Sequence, residues 1–204
     1  AIYARKHHIS CQPIQSYLME QRVDYIARYE PSVKAFVDET FDSDRVLDAI
    51  VQSDERLPLK GLLLGVKDII NVDQFPTRCG SVLPARLFNG PQASCATRLF
   101  KAGAVMVGKT VTAEFAVSDP GPTRNPRNLN HTPGGSSSGS AAAVAAGFCD
   151  IALGTQTSGS VIRPAGYCGT FGYKPSFGRV ALDGVLPYSK SMDHIGLFAK
   201  DMPT

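Results

Sequence analysis

Residues 94–107 read SCATRLFKAGAVMV. The first nine residues are typical of a helix, Gly103 is a C-terminal stop, and the four residues after it form a short apolar strand. The same alternation recurs along the chain, with a buried strand predicted over 62–72, an alanine-rich helix over 140–146 and a further strand over 151–155. Strands that alternate with helices favour an α/β fold with a largely parallel sheet.

The first third of the chain is predicted to be helical. Pro13 suits a first helical position, and Glu30-Pro31 is expected to end that helix. Ser43 is the candidate N-cap of a second, shorter helix. Residues 118–135 contain four prolines and are predicted to form a long loop.

Composition excludes several classes of protein. Of the 204 residues, 43% are hydrophobic and 19% are charged, and the net charge is +3, which is typical of an ordinary folded domain. No block of Lys and Arg marks a nucleic-acid surface. The longest apolar run, 141–149, has nine residues and is too short to span a bilayer. We therefore expect no nucleic-acid partner and no membrane.

The cysteines and the chain ends bear on location. There are five cysteines, an odd number, and no Cys-x-x-Cys pair, so a zinc site is not predicted and a reducing, cytoplasmic location is favoured. No signal peptide is expected at the start, and the absence of an initiator Met suggests a processed N-terminus. Asp201-Met-Pro-Thr204 is typical of a helix start, which suggests that the sequence stops partway through a fold.

Two short segments match the spacing of known functional motifs, but their neighbouring residues do not predict the secondary structure that those motifs need. Residues 103–110 fit the spacing of a phosphate-binding P-loop, but a helix precedes them and strand formers separate the two glycines, so a buried strand is predicted. Residues 135–139 fit Gly-x-Ser-x-Gly, but loop formers precede the serine where a nucleophile elbow needs a strand. A Ser-His-Asp site with Asp193 and His194 is the minor alternative.

Lys67 is the strongest candidate catalytic residue. Seven of the eleven residues in 62–72 are Leu, Ile or Val, so burial is expected to lower the pKa of this lysine and make it a usable general base. The alternative is a lysine paired with a buried carboxylate such as Asp68. Adjacent strand residues point to opposite faces, however, which disfavours that pair.

Two segments of small residues accompany the lysine. The tract of Gly and Ser at 134–140 lets the backbone approach a ligand closely, just before a helix. Residues 154–164 predict a strand that runs into a turn, whose consecutive N–H groups are able to form an oxyanion hole. A buried lysine and two serine-bearing turns are together able to form a Ser–Ser–Lys relay.

These segments resemble those of the amidase signature family. The matching stretches are 65–68 (GVKD), 134–147 (GGSSSGSAAAVAAG), 152–165 (ALGTQTSGSVIRPA), 168–169, 174–176 and 191–196. The resemblance covers nearly all of the chain from residue 62 onward. It implies the amidase signature fold, an α/β fold with a mixed, largely parallel central sheet flanked by helices. Residues 1–204 are then the N-terminal part of a single domain whose remainder is absent here.

The resemblance also implies roles. Lys67 corresponds to the family's catalytic lysine, Ser136 to the bridging serine on a cis peptide, and Ser160 to the nucleophile. The oxyanion hole is then formed by the N–H groups of Thr157, Ser158, Gly159 and Ser160. Many members carry Gly at the position of Ser158, and a side chain at this position narrows the pocket or adds a hydroxyl group to it.

Substrate binding is assigned to Ser137 and Arg163. The order Ser-Val-Ile-Arg-Pro at 160–164 is similar to that of malonamidase-like members, in which an arginine so placed is able to hold a substrate carboxylate. A structural ion pair is the equal alternative for Arg163.

The implied activity is hydrolysis of a small-molecule carboxamide through a covalent acyl-enzyme, with no metal or organic cofactor required. The alternatives are the glutamine-hydrolysing subunit of a tRNA-dependent amidotransferase, which would work with partner subunits, and an inactive fragment of such an enzyme. The expected partner is a small-molecule amide, and a homo-oligomer is possible from sequence.

Overall fold

The computed structural model of the protein describes residues 14–117 and 119–201. Five helices and five strands make up the described part of the chain. In order they are α1 (Ile14–Val33), α2 (Ser43–Gln52), β1 (Leu63–Lys67), α3 (Ser94–Lys101), β2 (Val105–Thr110), α4 (Ser138–Ala145), β3 (Ile151–Gln156), α5 (Ile162–Cys168), β4 (Phe171–Tyr173) and β5 (His194–Ala199). Short 3₁₀ turns occupy Ala85–Leu87 and Glu114–Ala116. The predicted helix starts at Pro13 and after Asp201 involve residues outside the described ranges.

The strands form one sheet in the order β2-β1-β3-β5-β4. β1 pairs in parallel with both β2 and β3, whereas β5 is antiparallel to β3 and to β4. Four of the five strands therefore run in one direction and β5 in the other. This confirms the mixed, largely parallel α/β sheet that the sequence predicts.

Alternating strand residues supply two hydrophobic clusters. Leu63, Val105 and Val107 belong to the cluster that holds the apolar residues of α1, α2 and α4, whereas Leu64 and Met106 belong to the cluster beside α3. Neighbouring strand residues point to opposite faces, so the sheet has helices on both sides. The alanine-rich α4 is buried from its first residue to Val144, and small side chains let it lie close to the sheet.

The outer edge of β2 is covered. Val37 N–H donates to Lys109 O at 2.8 Å, and Phe36 forms an antiparallel bridge with Thr110. Further along, the guanidinium of Arg45 donates to Met106 O at 3.0 Å and to Val107 O at 2.7 Å. The carbonyl groups of this edge strand are therefore satisfied by other parts of the chain.

Several predicted boundaries differ from the structure, and three of the differences have a clear local cause. β1 ends at Lys67, because the N–H groups of Ile69 and Ile70 both donate to Lys67 O and turn the chain. The apolar residues after this turn pack in the core without extending the strand. α1 continues through Pro31 to Val33, because proline in the last turn removes one hydrogen bond without ending the helix. Asp42 is the N-cap of α2, with its carboxylate accepting from Arg45 N–H at 2.7 Å.

The structural context of the two rejected motifs is as the sequence predicts. Residues 105–110 are a fully buried strand that follows α3, so the backbone has no phosphate-binding loop there. Residues 129–135 lie in turns and irregular backbone, so no strand leads to the Gly-x-Ser-x-Gly segment.

Candidate active site

Lys67 is the last residue of β1, and its side chain is 0% exposed. Its Nζ donates to Ser136 Oγ at 2.9 Å and to Thr155 Oγ1 at 2.8 Å. The adjacent Asp68 instead forms an ion pair with Lys109 Nζ at 3.2 Å. The sequence left two environments open for Lys67, a free amine or an ion pair with Asp68. In the structure the amine of Lys67 contacts two hydroxyl groups, and Asp68 pairs with Lys109 instead.

Burial sets the protonation of Lys67. Removal from water disfavours the ammonium form and lowers the pKa of Lys67 to about 7, while the negative charge of Asp193 opposes that shift. A lysine with this pKa is largely neutral slightly above neutral pH. A neutral amine with hydroxyl partners is suited to accept a proton.

Lys109 is a second buried lysine, which the sequence reasoning did not single out. Its Nζ contacts Asp68, Thr77 Oγ1 at 2.8 Å and Ile70 O at 2.8 Å. These bonds fix the turn that follows β1 and hence the end of the strand that carries Lys67. The signal was available, because Lys109 interrupts strand formers as Lys67 does.

Ser136 lies just before α4. The peptide bond between Gly135 and Ser136 is cis, and Ser136 O accepts from Ala113 N–H at 3.0 Å. Gly135 O accepts from Arg163 Nε at 3.1 Å and Nη2 at 3.0 Å. Both peptide units around Ser136 are thus held by other segments, which directs its hydroxyl to Lys67.

Ser137 fastens this turn to the sheet. Its hydroxyl donates to Thr155 O at 3.1 Å and accepts from Thr155 N–H at 3.3 Å. The side chain is fully buried and does not line the neighbouring cavity. These contacts give Ser137 a structural role, since they hold the turn against β3. No contact of Ser137 supports the predicted role in substrate binding.

The turn after β3 is organised by Gln156. Its Oε1 accepts from Val161 N–H at 2.9 Å and Ile162 N–H at 3.0 Å, and its Nε2 donates to Ser158 O at 3.0 Å. The start of α5 is therefore capped by a side chain. Within the described part of the chain, the N–H groups of Ser158, Gly159 and Ser160 donate to no acceptor.

Ser160 lies beside the Ser136 turn. Ser160 O accepts from Ser137 N–H at 3.3 Å, which joins the two serine-bearing turns directly. The residue is 7% exposed, and its hydroxyl has no hydrogen-bond partner among residues 14–117 and 119–201. The structure thus brings residues 67, 136 and 160 to one region at the carboxyl ends of β1 and β3.

Arg163 and Ser136 both line a cavity of about 240 Å³. The remainder of the lining comes mainly from residues 113–123 and 132–138. Arg163 has no carboxylate partner in the described ranges, so the alternative of a structural ion pair is not what the structure has. Within the same ranges its Nη1 has no hydrogen-bond partner, whereas Nε and Nη2 both donate to Gly135 O.

Thr157 begins the turn that carries Ser160. Its hydroxyl donates to Asp193 Oδ1 at 2.5 Å. Asp193 precedes β5, whose first residue, His194, is opposite Gln156 in the antiparallel ladder. The sequence reasoning named Asp193 and His194 for a minor Ser-His-Asp alternative. In the structure His194 Nδ1 contacts Met192 O, and Asp193 serves the turn.

The side chains in the described ranges suggest no metal centre. No three His, Cys, Asp or Glu residues among them are grouped so as to hold an ion.

None of the helices in the described ranges has the length and apolar character needed to cross a bilayer.

Comparison with known families assigns the chain to one of them. Residues 17–203 match the family described as Amidase. The chain belongs to the Amidase family. The family resemblance read from the Gly and Ser tracts is therefore confirmed.

Named relatives within the amidase family include an amidotransferase component. A subunit of the glutamyl-tRNA(Gln) amidotransferase of Synechococcus sp. (strain RCC307) is 42% identical over 192 residues, which are 89% of this chain and 40% of the relative. The chain thus spans about two fifths of the curated relatives that it matches.

Solved structures of the amidase family have the same fold. The peptide amidase of Stenotrophomonas maltophilia superposes with a TM-score of 0.80 at 35% identity, over 91% of this chain and 42% of that one. The corresponding subunit of the glutamyl-tRNA(Gln) amidotransferase of Thermotoga maritima gives a TM-score of 0.79 at 34% identity, over 93% and 42%.

Proposed function

We propose that this chain contributes the catalytic residues of an amide hydrolase. Ser160 is the nucleophile, Ser136 relays the proton and Lys67 is the base. The observation that carries the proposal is the hydrogen bond from Lys67 Nζ to Ser136 Oγ, 2.9 Å long and fully buried, beside the turn that holds Ser160. Membership of the Amidase family supports cleavage of a carbon–nitrogen bond.

Acylation follows from these positions. Ser160 Oγ attacks the amide carbonyl carbon, and its proton passes to Ser136 Oγ as the proton of Ser136 passes to neutral Lys67. The carbonyl π-bond electrons move onto oxygen. Collapse of the tetrahedral intermediate breaks the carbon–nitrogen bond, and the leaving amine takes the proton back from Lys67 through Ser136. Water then attacks the acyl-enzyme along the same route.

The oxyanion is assigned to the turn at 157–160. The N–H groups of Ser158, Gly159 and Ser160 have no acceptor among the described residues, so they are available to a substrate oxygen. Removal of one such donor from an enzyme costs about 3–4 kcal/mol of transition-state stabilisation. Gln156 supports this role, because it occupies the next two N–H groups and leaves these three free.

A small carboxamide that bears a free carboxylate is the proposed substrate class. Arg163 lines the cavity with Ser136 and keeps Nη1 unused, so it is able to hold an anionic group near the reacting carbonyl. Glutamine hydrolysis within a tRNA-dependent amidotransferase is the second candidate. It is favoured by the 42% identity to the glutamyl-tRNA(Gln) amidotransferase subunit of Synechococcus.

The nucleophile is tested with a fluorophosphonate, which labels an activated serine and needs no knowledge of the substrate. In the protein at its native full length, Ser160→Ala should abolish labelling. Ser32→Ala, at an exposed serine of α1, is the control and should label as the wild type does. Labelling that persists in Ser160→Ala would assign the nucleophile to another residue.

The substrate is tested with a panel of amides with and without a carboxylate, glutamine included. Hydrolysis of simple carboxylate-bearing amides by the purified protein alone would support the first candidate. Glutamine hydrolysis that depends on copurifying subunits would support the second. A protein that labels with fluorophosphonate and hydrolyses none of the panel contradicts both substrate assignments.

A further inference from the structure

Asp193 is the charged residue of this region to which the proposed mechanism gives no part. Its Oδ1 accepts from the Thr157 hydroxyl at 2.5 Å, and its Oδ2 accepts from the N–H groups of Tyr188 and Ser189 at 2.8 and 2.7 Å. Three donors from two segments therefore hold one carboxylate. The fixed carboxylate in turn holds the first residue of the turn that carries Ser160.

The sheet explains why Asp193 lies near Lys67. β5 is antiparallel to β3, so the start of β5 and the end of β3 lie at one edge of the sheet, with His194 opposite Gln156 and Ile195 opposite Thr155. Lys67 ends β1 at the same edge and donates to Thr155. Asp193, one residue before β5, therefore lies at the same end of the sheet as the amine.

We propose that Asp193 is a positioning residue and counter-ion of this site, holding the turn that begins at Thr157 and stabilising the ammonium form of Lys67. The inference rests on the proposed function, because that ammonium forms when the proton of Ser160 reaches Lys67 through Ser136. The proton stays on Lys67 and then returns to the leaving amine.

Other charges nearby do not replace Asp193. The carboxylate of Asp68, which follows Lys67 in the chain, is engaged by Lys109. The charge of Asp193 is the one that acts against the loss of the proton from Lys67. Among the described residues, the other charged or titratable groups beside the two are Arg163, behind Gly135, and Tyr188, Lys190 and His194, next to Asp193.

The test separates charge from hydrogen bonding. The rate of fluorophosphonate labelling is measured against pH in the full-length protein and in two variants. In this reaction a bond forms from Ser160 Oγ to phosphorus, fluoride leaves, and the proton goes to Lys67. Asp193→Asn removes the charge, and Thr157→Val removes the hydroxyl bond but leaves the charge in place.

Asp193→Asn should move the acidic limb of the profile to lower pH by about one unit, because an ammonium without its counter-ion loses its proton more readily. The plateau rate should fall roughly tenfold, since a less basic amine is a weaker base. Thr157→Val should lower the rate while the limb stays at the wild-type pH. Asp193→Glu should keep the limb near that pH.

A limb that stays at the wild-type pH in Asp193→Asn overturns the proposal, as does an equal shift in Thr157→Val. Thermal melts establish which variants are folded, and Asp193→Ser, also neutral but smaller, carries the same test if the asparagine variant does not fold. Labelling that survives Ser160→Ala would defeat the proposed function itself, and that result is independent of the position of the limb.

Discussion

Lys67 and Lys109 lie on neighbouring strands and are both fully buried, yet only Lys109 meets a carboxylate within salt-bridge distance in the described chain. In the ladder of β1 and β2, Lys109 is opposite Val66, so the two lysines differ by a single position. Burial lowers the pKa of each, and Asp68 opposes that shift at Lys109. Lys67 instead meets the hydroxyls of Ser136 and Thr155. The two lysines are thereby suited to different tasks, one to proton transfer and the other to holding a turn.

The protonation of Lys67 predicts how labelling of Ser160 depends on pH. Below the pKa of about 7 the amine is protonated and unable to accept a proton, so the rate should rise tenfold per unit up to that pH and then level off. Lys67→Ala should lower the rate by about 10²–10⁴-fold and remove this limb. The measurement is the rate constant of fluorophosphonate labelling between pH 5 and 9. A limb that persists in Lys67→Ala belongs to another group.

Removal of one member of the buried pair should be costly. Asp68→Asn leaves the ammonium of Lys109 without its carboxylate, and breaking a buried pair in this way costs about 3–5 kcal/mol of the free energy of unfolding. Urea titration measures the loss. The double variant Asp68→Asn with Lys109→Met should lose less than Asp68→Asn alone, because no buried charge remains. A double variant as unstable as the sum of both single ones would mean that the two residues act independently.

Gly139 should tolerate no larger residue. A Cβ there would lie 2.2 Å from Ala35 O and 2.3 Å from Val111 N, both backbone atoms. Gly139→Ala should therefore destabilise the protein by about 1–3 kcal/mol or more. Gly166→Ala in α5 is the matched control, because its Cβ would meet nothing within 4 Å. In that helix alanine should be neutral, or stabilising by up to about 1 kcal/mol. Equal melting temperatures for the two variants would contradict the prediction.

Arg163 should affect binding more than chemistry if its free Nη1 receives a carboxylate. Arg163→Lys keeps a charge but loses the planar pair of donors to Gly135 O and to a ligand. We expect a KM about tenfold or more higher for carboxylate-bearing amides and little change for neutral ones. Steady-state kinetics on a matched pair of amides measures the difference. An equal fall of kcat for both amides would instead indicate a role in holding the Ser136 turn.

The sequence predicts the local features of this fold well and the long-range ones poorly. Apolar runs locate β1, β2 and β3, and the Ala-rich segment locates α4, because these patterns depend on neighbours in the chain. β4 has three residues and two of its side chains are exposed, so it leaves no periodic pattern. α5 contains Pro164 and a glycine, which weaken its helical signal, and it starts where the Gln156 side chain caps it.

The candidate site divides in the same way. The environment of Lys67 follows from its apolar neighbours, and the family resemblance supplies Ser136 and Ser160. The partner of Asp68 could not be predicted, since it depends on the register between two strands. The role of Asp193 depends on the antiparallel return of β5, which nothing near residue 193 specifies.

Arg45 has a consequence for how this sheet is able to grow. Its guanidinium donates to the carbonyl groups of Met106 and Val107, and the N–H group of Val37 donates to the carbonyl of Lys109 on the same side of β2. These carbonyls are closed to an incoming strand, which protects this side of the sheet against edge-to-edge aggregation. Pairing with a further strand is thus directed to the other edge strand, β4.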